Sequence, residues 1–294
     1  MATNTLHIIV RTGAAVAAAA LVASSSALGQ DAAATVPADG PSSVAAESAS
    51  GVLDCPLRLP APLPARTRVV PILMYHRINV VSSTTPAISR RLTVHPAVFA
   101  RQMRWLKRHG YRAITQRRLF DALMCGRPLP RRPILITFDD GYRDNYVNAS
   151  PVIARLDMRA TAYVISGRIS NGDRSFLTWP QLRRLERRGV EIGSHTVSHR
   201  SLTSLSTAQA RAELVRSRRA LERRLGHRVP WLAYPLGAYD GRIESLARRS
   251  GYLLAVTTQH GSRHSAHRPF ALPRLRVLDS TGVRGLAAML GRTP

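Results

Sequence analysis

Pro133-Ile134-Leu135-Ile136-Thr137-Phe138-Asp139-Asp140-Gly141 is the stretch that decides the fold. Its first part is a near-continuous apolar run of strand length, which suits a strand buried on both faces. The run stops abruptly in two adjacent carboxylates and a glycine. Neighbouring carboxylates at a strand exit repel each other and lose hydration unless a cation or a proton relieves them. The glycine lets the chain leave sharply.

The same alternation continues on either side. Upstream, Val69–Tyr75 reads as a buried strand, and Phe99, Met103, Trp105 and Leu106 form the apolar stripe of a helix ended by Gly110. A short strand over Tyr111–Thr115 and a helix over Gln116–Met124 follow. Downstream, the pattern predicts a helix over Asn148–Leu156 with Pro151 in its first turn, and a strand over Ala160–Ser166. It then predicts a helix over Trp179–Arg188 capped by Thr178, a strand over Val190–Ser194, and a long helix over Thr207–Leu225 closed by Gly226. Strands over Trp231–Tyr234, Tyr252–Thr257 and Leu275–Leu278, with helices near 241–250 and 282–290, complete the series. Apolar strands alternating with helices mean a parallel sheet covered by helices, and about seven such units fit a barrel better than an open sheet. The expected fold class is therefore α/β, a deformed (β/α) barrel of about seven parallel strands, preceded by a disordered N-terminal extension.

That extension divides in two. Arg11 precedes the apolar run Thr12–Leu28, and Ala27-Leu28-Gly29 puts small residues before Gln30, so 1–29 reads as a cleaved signal peptide. The run is Ala-rich and broken by Ser24, Ser25 and Ser26, too weak for a membrane anchor. Residues 30–66, rich in Ala, Ser and Pro, read as a linker, and 67–294 as the folded domain. The predicted location is outside the cytoplasm: periplasmic, cell-surface or secreted. In that oxidising setting Cys55 and Cys125 are able to pair. Two cysteines exclude a disulfide-framework mini-protein and a Cys-rich structural zinc site.

Lys and Arg number 43 against 17 Asp and Glu, a net charge of +26, and Lys107 is the only lysine. Such a charge invites a nucleic-acid partner, but aromatics are only 5% of the chain and no groove-reading motif is present, so none is expected. The arginines are expected instead to draw the protein to an anionic envelope surface by long-range attraction.

In barrels the chemistry gathers at the C-terminal ends of strands. Besides Asp139-Asp140-Gly141, two more strand ends turn polar: Gly193-Ser194-His195-Thr196-Val197-Ser198-His199, and Ala233-Tyr234-Pro235-Leu236-Gly237-Ala238-Tyr239-Asp240. Histidines four apart face one point if the segment turns helically. One Asp and two His with open positions suit a divalent metal that polarises water, leaving the second Asp free as a base.

Thr137–Gly141 and His195–His199 resemble the first two motifs of polysaccharide deacetylases with the NodB homology domain, carbohydrate esterase family 4. Ile72-Leu73-Met74-Tyr75-His76-Arg77-Ile78 and Phe99–Tyr111 are similar to the branch that includes poly-N-acetylglucosamine deacetylases. The resemblance spans about residues 68–278. It implies a barrel holding Zn²⁺, with Co²⁺ or Ni²⁺ as alternatives, ligated by Asp140, His195 and His199. It also implies Asp139 as catalytic base and the Leu236 backbone N–H as oxyanion donor. The implied reaction is removal of N-acetyl groups from a GlcNAc-containing polysaccharide or chitooligosaccharide, releasing acetate. Tyr234, Pro235 and Arg274 are expected to contact the acetylated glycan.

Two departures stand out. Where many relatives carry an arginine that orients the base, this chain has Ala233. The late Leu-X-His motif that supplies a general acid is also missing, the last strand reading Ala271-Leu272-Pro273-Arg274-Leu275-Arg276-Val277. His76, or the group His260, His264 and His267, is left as the proton donor to the amine. These departures keep open a catalytically weak glycan-binding protein of the cell surface; an O-acetyl esterase acting on an acetylated glycan is the second alternative.

Overall fold

In the computed structural model, residues 55–83 and 85–291 are described. The expected signal peptide and the first part of the expected linker lie outside them. Seven parallel strands close into a barrel: β1 Ile72–Tyr75, β2 Pro133–Phe138, β3 Ala160–Val164, β4 Val190–Ser194, β5 Trp231–Ala233, β6 Leu254–His260 and β7 Leu272–Arg276. Each strand pairs with the next, and β7 returns to β1, which also pairs with β2. The expected architecture is the one found. A short strand, Arg112–Ala113, pairs in parallel with the N-terminal end of β2.

Among the described residues, seven helices of six or more residues accompany the barrel: α1 Pro96–Arg108, α2 Gln116–Met124, α3 Ser150–Arg155, α4 Trp179–Arg187, α5 Thr207–Leu225, α6 Gly241–Arg249 and α7 Gly282–Met289. Local chemistry sets their ends. Thr115 accepts the Arg118 N–H at the start of α2, Ser206 accepts that of Gln209 at the start of α5, and Gly226 closes α5 at φ 83°. Of the long helices, α2 has the special task. It plugs the N-terminal end of the barrel, packing Leu119, Phe120 and Leu123 against Ile72, Leu135, Trp231, Leu254 and Leu272.

The start of the folded unit differs from the sequence expectation. Packed structure is already present at Cys55, within the expected linker and ahead of residue 67. Cys55 is buried and joined to Cys125, just past the end of α2, with a Cα–Cα distance of 5.9 Å. Leu57, Leu59 and Leu63 pack against the same plug, and the Cys55 carbonyl accepts from Arg117 Nη2 at 2.7 Å. The Pro-rich composition reads as a tether because its extended backbone has no periodicity; its leucines nonetheless have a core to cover. Since the bridge closes 70 residues of sequence, replacing both cysteines with serine is expected to cost about 2–4 kcal/mol. Chemical denaturation of the oxidised chain and the double variant measures it; coincident curves would refute it.

Inside the barrel near the plug, Glu191 of β4 accepts the backbone N–H groups of Gln116 and Arg117 at the start of α2. Burial pushes its carboxyl from 4.5 up to about 7, against the pull of those amides and of Thr161. Between these values the folded chain binds a proton that the unfolded chain has released, so this group's contribution to stability falls as pH rises through the window. Glu191→Gln keeps an acceptor without the charge. Its melting temperature is expected to exceed that of the wild type at pH 8 and not at pH 5. An equal difference at both pH values would show the carboxyl to be unperturbed.

Two further differences concern strands. The expected strand Val69–Tyr75 breaks at Val70 and Pro71: Thr67–Val69 pairs antiparallel with Arg263–Ser265, and only Ile72–Tyr75 enters the barrel. The last strand lies at Leu272–Arg276 instead of Leu275–Leu278, because Arg274 faces the interior.

Candidate metal and catalytic site

At the C-terminal end of β2 the chain takes two left-handed residues in succession, Asp140 at φ 73° and Gly141 at φ 79°. A Cβ on Gly141 would come within 3.0 Å of Val164, so the turn is tight as well as left-handed. The two adjacent carboxylates point to different partners as a result. Asp139 turns to Arg274, whose Nη1 and Nη2 donate to its two oxygens at 2.8 and 2.7 Å. Asp140 turns to the histidines, with His195 Nε2 and His199 Nε2 each 3.5 Å from its Oδ1.

The histidine loop follows β4. Thr196 and His199 both have positive φ, so a left-handed loop, not the helical turn expected from the spacing, brings the two rings to 4.7 Å. Glu213 of α5 fixes it, accepting the N–H groups of Val197 and Ser198 at 2.9 Å and the Ser198 hydroxyl at 2.8 Å. His195 Nδ1 lies 2.8 Å from the Ala233 carbonyl, which assigns the proton to Nδ1 and leaves Nε2 free as a ligand.

These residues fit a divalent cation. Asp140, His195 and His199 offer ligand atoms all within 4.8 Å of one another. Ligand bonds of about 2.1 Å at tetrahedral angles place neighbouring donors about 3.4 Å apart, close to the 3.5 Å between Asp140 and each histidine. Burial pushes the Asp140 carboxyl up to about 6, the condition of a carboxylate lacking a full counter-charge. The second carboxylate is already provided for. Burial alone would raise Asp139, but the Arg274 charge and its paired hydrogen bonds hold it well below the usual carboxylate range. Asp139 is therefore ionised at neutral pH with no cation present.

Several expected residues change place. Arg274 is expected at the substrate; its side chain is instead fully buried, donating to the Thr257 carbonyl at 2.9 Å and to Thr137 Oγ1 at 3.1 Å as well as to Asp139. An arginine therefore reaches Asp139 from β7, whereas β5 carries Ala233. Tyr234 is buried in the cluster with Leu202, Leu214 and Ile243, its ring stacked 5.2 Å from Tyr239, and Pro235 is buried too, so neither presents a side chain to a ligand. Leu236 lies in the turn after β5 at φ 60°, its side chain 66% exposed at the same barrel end as His195.

His76 follows β1 on this face. Its Nδ1 is buried without a partner, and burial pushes the imidazole down to about 4 despite the nearby Asp139. The alternative histidine group does not assemble here. His264 sits on the Arg263–Ser265 strand with Nε2 2.7 Å from the Val70 carbonyl, while His260 and His267 are exposed. Sequence reasoning missed Glu213 altogether, since nothing local marks a mid-helix glutamate as the anchor of a loop fourteen residues earlier. It also missed Tyr142, whose phenol lies against Asp140.

Comparison with known proteins points to one family. The polysaccharide deacetylase family profile matches residues 126–255. The Bacillus subtilis (strain 168) protein YxkH, whose name places it among polysaccharide deacetylases, is 33% identical over 218 residues, 74% of each chain. The poly-beta-1,6-N-acetyl-D-glucosamine N-deacetylase of Staphylococcus aureus (strain MRSA252) is 22% identical over 230 residues, covering 70% of this chain and 78% of its own. Among solved structures, Streptococcus pyogenes deacetylase PplD in complex with acetate matches with a TM-score of 0.71 and 31% identity, over 76% of this chain and 99% of that one.

Proposed function

The chain belongs to the polysaccharide deacetylase family, and we propose that it hydrolyses N-acetyl groups of a GlcNAc-containing glycan, releasing acetate. The observation that carries this reading is a carboxylate held ionised by a buried arginine, directly beside an Asp-His-His ligand set. A divalent cation, Zn²⁺ first, held by Asp140, His195 and His199 would acidify water and polarise the amide carbonyl.

The chain's own residues do the rest. Asp139, fixed by the two-pronged contact with Arg274, accepts the proton from the attacking water. The Leu236 N–H is the proposed donor to the oxygen that becomes negative as the carbonyl carbon turns tetrahedral. Departure of the amine then requires a proton. His76, neutral at pH 7, is able to pass one on only after receiving it, so Asp139 is the first holder of that proton and His76 at most a relay.

Export is part of the proposal, supported by the Arg11-led apolar segment and by the Cys55–Cys125 bridge. No described helix is long and apolar enough to cross a membrane. The test is acetate release from GlcNAc oligomers by the chain loaded in turn with Zn²⁺, Co²⁺ and Ni²⁺, with acetyl-xylan alongside. Release from GlcNAc oligomers that stops on chelation is expected. Release from acetyl-xylan alone would make the protein an O-acetyl esterase, and binding without release from any substrate would make it a glycan-binding protein.

A further inference from the structure

Next to Asp140, the chain builds a wall of two stacked rings flanked by two cations. Tyr142 stacks on Phe176 with centroids 5.1 Å apart at 22°, and the two residues form an antiparallel bridge. The Arg77 guanidinium lies 4.5 Å from the Tyr142 ring and that of Arg168 5.5 Å from the Phe176 ring. Two clefts open beside this wall, of about 490 and 330 Å³, and Arg143 and Arg174 line both. These volumes fall within or just above the lower end of the range that takes a small ligand.

Arg143 and Arg174 are exposed, and among the described residues neither has an acidic side chain within ion-pair distance. The acids at the clefts are otherwise engaged. Asp144 accepts from Arg77 Nε at 2.8 Å and from the Ile78 N–H at 3.0 Å. Asp173 folds back on its own loop to take the Ser175 N–H at 2.8 Å. Arg143 and Arg174 thus line both clefts with no carboxylate among the described residues paired to either. Their planar forks match a carboxylate or a phosphate, and a charged acceptor makes stronger hydrogen bonds than a neutral glycan hydroxyl.

We infer that the clefts lined by Arg143 and Arg174 form a subsite for an anionic group, carboxylate or phosphate, borne by the glycan close to its acetylated sugar. The substrate class is then an acidic acetylated glycan, not a neutral homopolymer. The link to acetylation rests on the deacetylase reading; the anion site itself does not.

The experiment separates the two. Calorimetry on the zinc-loaded full chain compares cellotetraose, which has no acetamide to hydrolyse, with cellotetraose bearing one glucuronate and with cellotetraose bearing one phosphate ester. At least one anionic oligomer is expected to bind about tenfold more tightly than the neutral one, and the stronger of the two identifies the native anion. Arg143→Gln/Arg174→Gln is expected to bring the ratio close to one. Arg211→Gln/Arg219→Gln, which removes the same charge from the exposed face of α5, is expected to keep the preference. Binding of both anionic oligomers no tighter than the neutral one, undetectable binding included, would overturn the inference. So would an equal loss in the α5 variant, which would reduce the effect to net charge. A chain that keeps the anion preference but releases no acetate from any N-acetylated oligomer, neutral or acidic, would sink the deacetylase reading alone.

Discussion

Asp139→Asn is expected to lower kcat/KM for acetate release about a thousandfold, within the range of about 10²–10⁴ for losing a positioned acid–base group. The substitution changes almost no volume. It removes the one carboxylate that stands free of the ligand set and turned to Arg274. An amide accepts no proton from water, so what remains is the polarisation of the carbonyl and the binding of the glycan. Asp140, His195 and His199 are untouched, and zinc affinity measured by competition with a chromogenic chelator should stay within a fewfold of the wild type. The variant has a structural cost as well. The amide nitrogen faces a guanidinium N–H where an oxygen stood, and a buried cation is left half-paired. Rates must therefore be compared well below the lowered melting temperature. Activity within tenfold of the wild type, with the variant folded and zinc-loaded, would remove Asp139 from the role of base.

How far the sequence could be read follows from which contacts are local. β2 is legible from Pro133 to Phe138 because a strand covered on both faces must be apolar throughout, and β4 and the helices α2 and α5 match their expected limits for similar local reasons. The ligand set is legible because an aspartate at one strand end and two histidines at another have few other uses together. Arg274 is illegible locally. A charged residue beside Pro273 breaks the apolar pattern of β7, and its burial is matched by Asp139, far away in sequence just past the end of β2, and by Thr137 and the Thr257 carbonyl. Ala233 therefore looks like a lost contact to Asp139 when an arginine makes that contact from another strand. Tyr234 misled in the opposite direction. It is expected to contact the glycan, yet its ring packs outward under α5 and α6. The histidine loop was right in outcome and wrong in means, since its conformation depends on Glu213.

The sharpest consequence of the relocated arginine is what its loss would do. Arg274→Met keeps a long side chain and removes the charge, leaving Asp139 buried with no cation opposite. Breaking one side of a buried pair costs about 3–5 kcal/mol, which for a domain of this size corresponds to a melting temperature lower by about 10 °C. The pH profile separates this from mere loss of packing. In the wild type Asp139 is held well below the usual carboxylate range, so its contribution to stability is present above the unfolded pKa and is lost only as pH falls through the depressed one. Without Arg274 the main opposition to burial is gone, leaving only the weaker pull of His195 and His76, and the carboxyl rises. The base is then protonated over part of the range in which the wild type works. The acid limb of kcat/KM is expected to move to higher pH in Arg274→Met, with activity partly recovering as the pH is raised. The double variant Asp139→Asn/Arg274→Met removes both charges and should be destabilised by less than the sum of the single variants. Additive losses together with an unshifted acid limb would mean that Arg274 fills space and does not hold the base.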